Sequence, residues 1–252
     1  MSSPPWRIEP FDRPWSLHDA AQSRRIEAAA AAALPPHTLM QRAGLSLARL
    51  ALAIAPHAQR IWIAAGPGNN GGDGLEAAMH LHRAGKRVEV SLAGDPSTLP
   101  ADAAASFRRA ADAGVAIGGA AAPRDRADLA IDALFGLGAT RPPDGAVASL
   151  VRALNAMAGP LLAVDLPSGL APDSGQPLGE SVVRATHTLA LLTLKPGLFT
   201  AHGRDLAGAI WFDDLGCTTN ADTVTARAQL GDHLHQQNNH LYHYSRRSAA
   251  IN

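Results

Sequence analysis

Gly66-Pro67-Gly68-Asn69-Asn70-Gly71-Gly72-Asp73-Gly74 follows the apolar run Ile61–Ala65 and opens onto Leu75–Ala84, where Ala77, Ala78 and Leu81 recur at helical spacing. Strand, glycine-rich turn, helix is the order in which backbone N–H groups face a bound anion. Gly66, Gly68 and Gly71 satisfy the G-x-G-x-x-G spacing of dinucleotide loops, but two features set this loop apart. Asp73 brings negative charge to the helix start, in competition with a pyrophosphate for the same N–H groups. The next apolar run, Val88–Leu92, does not end in the acid that takes a ribose hydroxyl; Asp95 comes only after Ala93 and Gly94. The Gly-Lys-Ser/Thr of nucleotidase loops is missing too, since the chain's lysines are Lys86 and Lys195. Side-chain amides and a carboxylate equip the loop to bond a polar ligand or offer oxygens to a cation.

Outward from this loop the chain alternates. Ile61–Ala65 reads as a strand, Asp73–Ala84 as a helix, Arg87–Leu92 as a strand and Leu99–Ala113 as a helix. Val115–Ile117 and Leu129–Ala133 read as strands, Asp144–Met157 as a helix and Leu161–Asp165 as a further strand. Thr186–Leu194 and Ala209–Phe212 add two late strands at one edge. Repeated β-α units with continuous apolar strands predict an α/β fold: a doubly wound, mostly parallel sheet with helices on both faces. Two helices precede it. Ser16-Leu17-His18-Asp19 has capping-box spacing and opens a helix to Leu34, where Pro35-Pro36 stops it. Thr38-x-x-Gln41 starts the second, with Leu39, Ala43, Leu47, Leu50 and Ile54 on one face.

Composition narrows the function. The 252 residues carry a net charge of zero with no basic block, which argues against nucleic acid and anionic membrane surfaces. Cys217 is the single cysteine, so an internal disulfide or thiolate metal cluster is excluded. The N-terminus has no apolar signal core, and Ala28–Ala33 is too short to span a bilayer; a soluble, cytoplasmic protein is expected. Residues 1–216 read as one domain and 217–252 as a polar, weakly ordered tail or truncated linker. His233, His235, His240 and His243 in that tail lack a carboxylate or cysteine to complete a metal site.

Ligands of open parallel sheets sit at the carboxyl ends of the strands. Three polar clusters leave those ends here: Asn69–Asp73, then Asp132 with Phe135–Pro142, then Asp165 with Pro167-Ser168-Gly169. Ser168 lacks the flanking glycines of a nucleophile elbow, which disfavours a hydrolase triad. Lys195-Pro196-Gly197 reads as a turn carrying a solvated charge rather than a catalytic lysine.

Gly-Pro-Gly-Asn-Asn-Gly-Gly-Asp-Gly (66–74), Asp-Ala-Leu-Phe-Gly-x-Gly (132–138) and Val-Asp-x-Pro-Ser-Gly (164–169) together resemble the YjeF N-terminal domain family, the NAD(P)H-hydrate epimerases. Leu39–Gly44, Lys195–Gly197 and Asp214–Gly216 extend the resemblance, which covers roughly Leu17 to Gly216. It implies a Rossmann-like domain, an isomerase interconverting the R and S hydrates of NADH and NADPH (NADHX and NADPHX). It further implies that Asn69, Asn70, Gly71, Gly72, Asp73, Gly136, Leu137, Gly138, Ala139, Thr140, Arg141, Pro142 and Asp165 contact the hydrate. Asn70, Asp132 and Ser168 would hold one potassium ion per subunit, and their oxygen donors suit a hard cation. Leu137 departs from the threonine that the family often carries there.

The chemistry implied assigns Asp165 a general acid–base role: protonating the hydroxyl lets the ring nitrogen expel water, which then returns to the other face. By the same analogy the chain forms a homodimer and works beside a dehydratase. No second glycine-rich β-α unit follows Gly216, so the expectation is epimerisation without dehydration. The alternative is a non-catalytic module of the same fold, serving RNA binding or dimerisation as in messenger-RNA decapping enhancers. The zero net charge and intact Asn70, Asp132 and Ser168 set weigh against it.

Overall fold

A computed structural model describes residues 5–8, 15–217 and 228–229. The tail reading therefore lies almost wholly outside the described residues, apart from Cys217 and the short strand Ala228–Gln229.

The order is β1 (Trp6–Arg7), β2 (Ser16–Leu17), α1 (Ala20–Ala32), α2 (Thr38–Ile54), β3 (Arg60–Ala65), α3 (Asn69–Arg83), β4 (Arg87–Leu92), α4 (Ala101–Asp112), β5 (Ala116–Gly118) and β6 (Leu129–Ala133). There follow α5 (Gly145–Asn155), β7 (Leu161–Val164), β8 (His187–Leu191), α6 (Gly203–Leu206), β9 (Ala209–Asp213) and β10 (Ala228–Gln229). Eight strands form one sheet in the order β1-β9-β8-β7-β6-β3-β4-β5, parallel throughout except for β1. β10 pairs separately with β2.

Strand alternation divides the core. Ile61, Ile63 and Ala65 of β3 join Ile131 of β6 under α2, α3 and α4. Trp62 and Ala64 face the other way, with Ala130 and Ala163, against Leu150, Val151 and Leu154 of α5. Both faces are thus covered, as the continuous apolar strands require. Beyond α5 the second face is closed by Trp15, Leu17, Leu166 and Leu198.

The structure differs from the sequence reading at two helix starts. The capping box of α1 is Asp19 with Gln22, not Ser16 with Asp19: Asp19 Oδ1 accepts from Gln22 N–H at 2.8 Å and Gln22 Oε1 from Asp19 N–H at 3.1 Å. Ser16 is drawn instead into β2, where Ser16 and Leu17 pair with Gln229 and Ala228. More consequentially, α3 begins at Asn69 with Gly68 as its N-cap, one turn before the expected start. The amides of the glycine-rich loop are therefore helical residues, and Asp73 lies in the second turn.

Strand order reverses beside β3. The chain winds outward through β4 and β5, then returns to place β6 on the opposite side of β3. The crevice outside the carboxyl ends of β3 and β6 is the switch point where doubly wound sheets bind ligands.

Candidate active site

A cavity of about 860 Å³ opens at that switch point. From the end of β3 it receives Pro67, Gly68, Asn69, Asn70 and Asp73; from β6, the continuous run Leu134–Pro142; from β7, Asp165. Asn69, Asn70, Asp73, Asp165 and all of Gly136–Pro142 thus meet in one space.

Gly71 and Gly72 do not line it. A Cβ on Gly71 would stand 1.9 Å from Gly66 O, and one on Gly72 would stand 2.6 Å from Met40 Sδ and 2.9 Å from Ala103 Cα. These two glycines let α3 leave β3 abruptly and sit close to its neighbours. Their missing side chains position the cavity wall, while the N–H groups at the start of α3 remain available to an anion.

Asp132 and Ser168 come together directly, behind the wall. Ser168 Oγ donates to Asp132 Oδ1 at 2.7 Å and accepts from Phe135 N–H at 2.9 Å. Asp132 Oδ2 accepts from Ser168 N–H at 2.8 Å, and Oδ1 also takes Leu134 N–H at 3.2 Å. Asp132 is fully buried, which pushes its carboxyl up to about 6 even though these hydrogen bonds pull the other way. Asn70 faces Gly136. Its Oδ1 lies 2.8 Å from where a Gly136 Cβ would be, and its Nδ2 is buried without an acceptor.

Asp165 closes β7 in the left-handed region, at φ +67°. An aspartate held there is strained unless its surroundings fix it. They do: its N–H donates to Leu189 O at 2.8 Å, and its Oδ1 accepts from Lys195 Nζ. Lys195 corrects the sequence reading. It is 2% exposed, not solvated, and it lines the cavity. Nothing in its local Lys-Pro-Gly context signals burial; its acceptors are Asp165 just past β7, Leu191 O at the end of β8 and Thr193 O of its own loop.

Two further groups are not marked by any sequence motif. Glu27, on α1, reaches the cavity, and burial followed by the Asp165 charge pushes its carboxyl up against the smaller pull of Lys195 and Arg24. His18 is buried with Nδ1 unpartnered; burial and then Lys195 push its pKa down, so its ring is neutral near pH 7. Asp73 is raised well above the usual aspartate range, first by burial and then by the charges of Glu27, Asp165, Glu76 and Asp102. The cavity therefore pairs an ion-paired carboxylate, Asp165, with a carboxyl whose ionisation is disfavoured, Asp73. Arg24 adds positive charge at the mouth, its Nη2 donating to Leu137 O at 2.9 Å.

The family model described as YjeF-related protein N-terminus matches residues 36–197, a span that contains the cavity's three loops and Lys195. The chain belongs to this family. A protein of Bordetella pertussis strain Tohama I, named NAD(P)H-hydrate epimerase, is 42% identical over 186 residues, covering 71% of this chain and 80% of that protein. The NAD(P)H-hydrate epimerase of Limosilactobacillus fermentum is 37% identical, covering 73% of this chain and 88% of its own length. In Escherichia coli K12 the similar protein is the bifunctional NAD(P)H-hydrate repair enzyme Nnr, 35% identical across 80% of this chain but only 39% of its own. The crystal structure of yeast ynu0 shares the fold, with a TM-score of 0.65 at 22% identity over 72% of this chain and 82% of that one. No described helix is long and apolar enough to cross a membrane.

Proposed function

We propose that this YjeF-family chain is an NAD(P)H-hydrate epimerase acting on NADHX and NADPHX. The observation that carries the reading is the single cavity at the β3/β6 switch point, where Asn69, Asn70, Asp73, Asp165 and the Gly136–Pro142 loop meet. Its size suits a nicotinamide nucleotide in part. The start of α3 and Arg24 favour phosphates; the carboxyl groups favour the hydrated ring.

The substrate carries a hydroxyl on the ring carbon next to nitrogen. In the proposed step Asp73 gives its proton to that hydroxyl, the nitrogen lone pair expels water, and a ring iminium forms. Water then adds to the other face, and the free oxygen of Asp165 takes the released proton. That proton returns to Asp73 through cavity water, so neither group is consumed. Asp165 thus acts as base in one direction and as acid in the reverse.

Asp132, Ser168 and Asn70 would hold a potassium ion. Their oxygens are hard donors, and the described partners of the buried Asp132 carboxylate are all uncharged. When bound, potassium supplies the positive charge that Asp132 lacks and ties down the Phe135–Pro142 loop. Potassium chloride should then raise the melting temperature over tetramethylammonium chloride at equal ionic strength. At a hundredfold excess over Kd the gain is about 2.7 kcal/mol. Asp132→Asn should abolish the difference, and a wild-type chain indifferent to the cation would remove potassium from the reading.

Asp73 predicts a pH dependence. Its folded value is raised, so between the ordinary 3.8 and the raised value the folded chain binds the proton that the unfolded chain has lost. That contribution favours folding on the acid side and is lost as pH rises through the raised value. The proton donor disappears over the same rise, so kcat should decline on the alkaline side. Asp73→Asn, which does not titrate, should lower kcat and flatten that limb. An unchanged alkaline limb in the variant would remove Asp73 as donor.

The direct test follows the R and S epimers of NADHX by chromatography. The chain should carry either epimer to the common mixture faster than the spontaneous rate; equal rates would sink the proposal. A dehydratase consuming one epimer, a cytoplasmic location and a homodimer complete the reading. The bifunctional relative, described as a repair enzyme, supports the first.

A further inference from the structure

Asp165 and Leu192, each just past the end of a neighbouring parallel strand, both adopt left-handed backbone, at φ +67° and +63°. Neither is a glycine, and both distortions surround one atom, Lys195 Nζ. Turning the chain at Leu192 leaves the carbonyls of Leu191 and Thr193 on either side of it. Nζ donates to Leu191 O at 3.0 Å, to Thr193 O at 2.9 Å and to Asp165 Oδ1. An ammonium has three protons, and here protein acceptors take all of them. Lys195 has none left for substrate.

The same contacts make the two oxygens of Asp165 unequal. Oδ1 takes Lys195 and, at 3.4 Å, Leu191 N–H. Oδ2 points toward Gly136, lying 3.4 Å from where a Cβ there would be, beside Asn70 Oδ1. Thr193 Oγ1 donates to Ser23 Oγ of α1 at 2.8 Å, bracing the lysine's loop from outside.

We infer that Lys195 is a positioning residue for the epimerase step: it occupies Oδ1 of Asp165 and so presents Oδ2 alone to the reacting ring. This rests on the epimerase reading above. Removing the ammonium frees a strained carboxylate to rotate and to bond through either oxygen. A displacement of about 1 Å at a reacting group can cost on the order of 10²-fold in rate.

The test compares wild type, Asp165→Asn, Lys195→Met, the double variant, and Lys195→Cys in a Cys217→Ser background. Lys195→Met should lose about 10²-fold in kcat, with KM changed by less than about threefold. Adding Lys195→Met to Asp165→Asn should cost little more, because both act through one group. In the Lys195→Cys variant, alkylating the introduced thiol with 2-bromoethylamine through the cavity rebuilds a lysine-like ammonium and should restore kcat. If Lys195→Met fails to fold, the double variant, which buries no unpaired charge, and the alkylated Lys195→Cys variant decide the matter. Wild-type kcat in Lys195→Met, multiplying losses in the double variant, or alkylation that restores the melting temperature without kcat would each overturn the inference. Loss of activity in Asp165→Asn beside a fully active Lys195→Met would overturn it while leaving the epimerase reading standing. A wild-type chain that leaves the epimer ratio at its spontaneous rate overturns that reading, and this inference with it.

Discussion

Replacing Asp165 with asparagine is expected to lower epimerase turnover by about 10²–10⁴-fold, the usual contribution of a general acid–base group. Asparagine keeps the size and one carbonyl oxygen, so the substrate should still bind and KM should move little. What it loses is the ability to accept the proton from returning water. A second effect is separable from the first. Asp165 and Lys195 are both buried, and the substitution removes the negative charge opposite the ammonium, leaving it only neutral acceptors. Breaking one side of a buried ion pair typically costs about 3–5 kcal/mol. A melting temperature lower by several degrees should therefore accompany the kinetic loss. Turnover measured well below the new transition isolates the chemical effect, and wild-type turnover in the folded variant would dismiss Asp165 from the mechanism.

Gly66→Ala should be nearly as damaging although Gly66 touches no reacting atom. Its backbone is not in the left-handed region, so conformation is not the reason for glycine here. Space is. An added Cβ would fall 1.8 Å from Leu134 O and 2.7 Å from Leu134 C, both backbone atoms that cannot swing aside. Gly66 N–H also donates to Ala133 O at 2.9 Å, so this is the point where the β3 and β6 turns are held together. Forcing them apart should cost about 1–3 kcal/mol or more, typical of overpacking. It also separates Asn70 from the Gly136 loop. With a shift near 1 Å, kcat/KM should fall by about 10²-fold. A variant of wild-type stability and activity would mean that the two turns are less tightly coupled than their contact implies.

Most strands are legible in the sequence because each is a continuous apolar run, and a strand covered on both faces needs that pattern whatever its neighbours are. Ile61–Ala65 and Leu129–Ala133 are examples. The two-residue strands Trp6–Arg7 and Ser16–Leu17 are not, since two residues carry no period; their pairing partners lie near the other end of the chain. The start of α3 escapes sequence reading for a different reason. Glycines read as loop by propensity, yet Gly71 and Gly72 are helical because only they fit between α3, Gly66, Met40 and Ala103. Tertiary packing overrides local preference.

The amino-acid order by itself determined the alternating α/β architecture, the three strand-end motifs and the family they belong to, because each is written in short-range spacing. The folded chain alone decided which members share a cavity, that Asp132 and Ser168 bond directly, that Asn70 faces Gly136, and that Glu27 arrives from α1. It also decided the fate of Lys195, which a Lys-Pro-Gly turn marks as surface and which the ends of β7 and β8 enclose. The reason is dielectric. A charge's burial and its partner depend on atoms brought together in space, and no local pattern of residues encodes them.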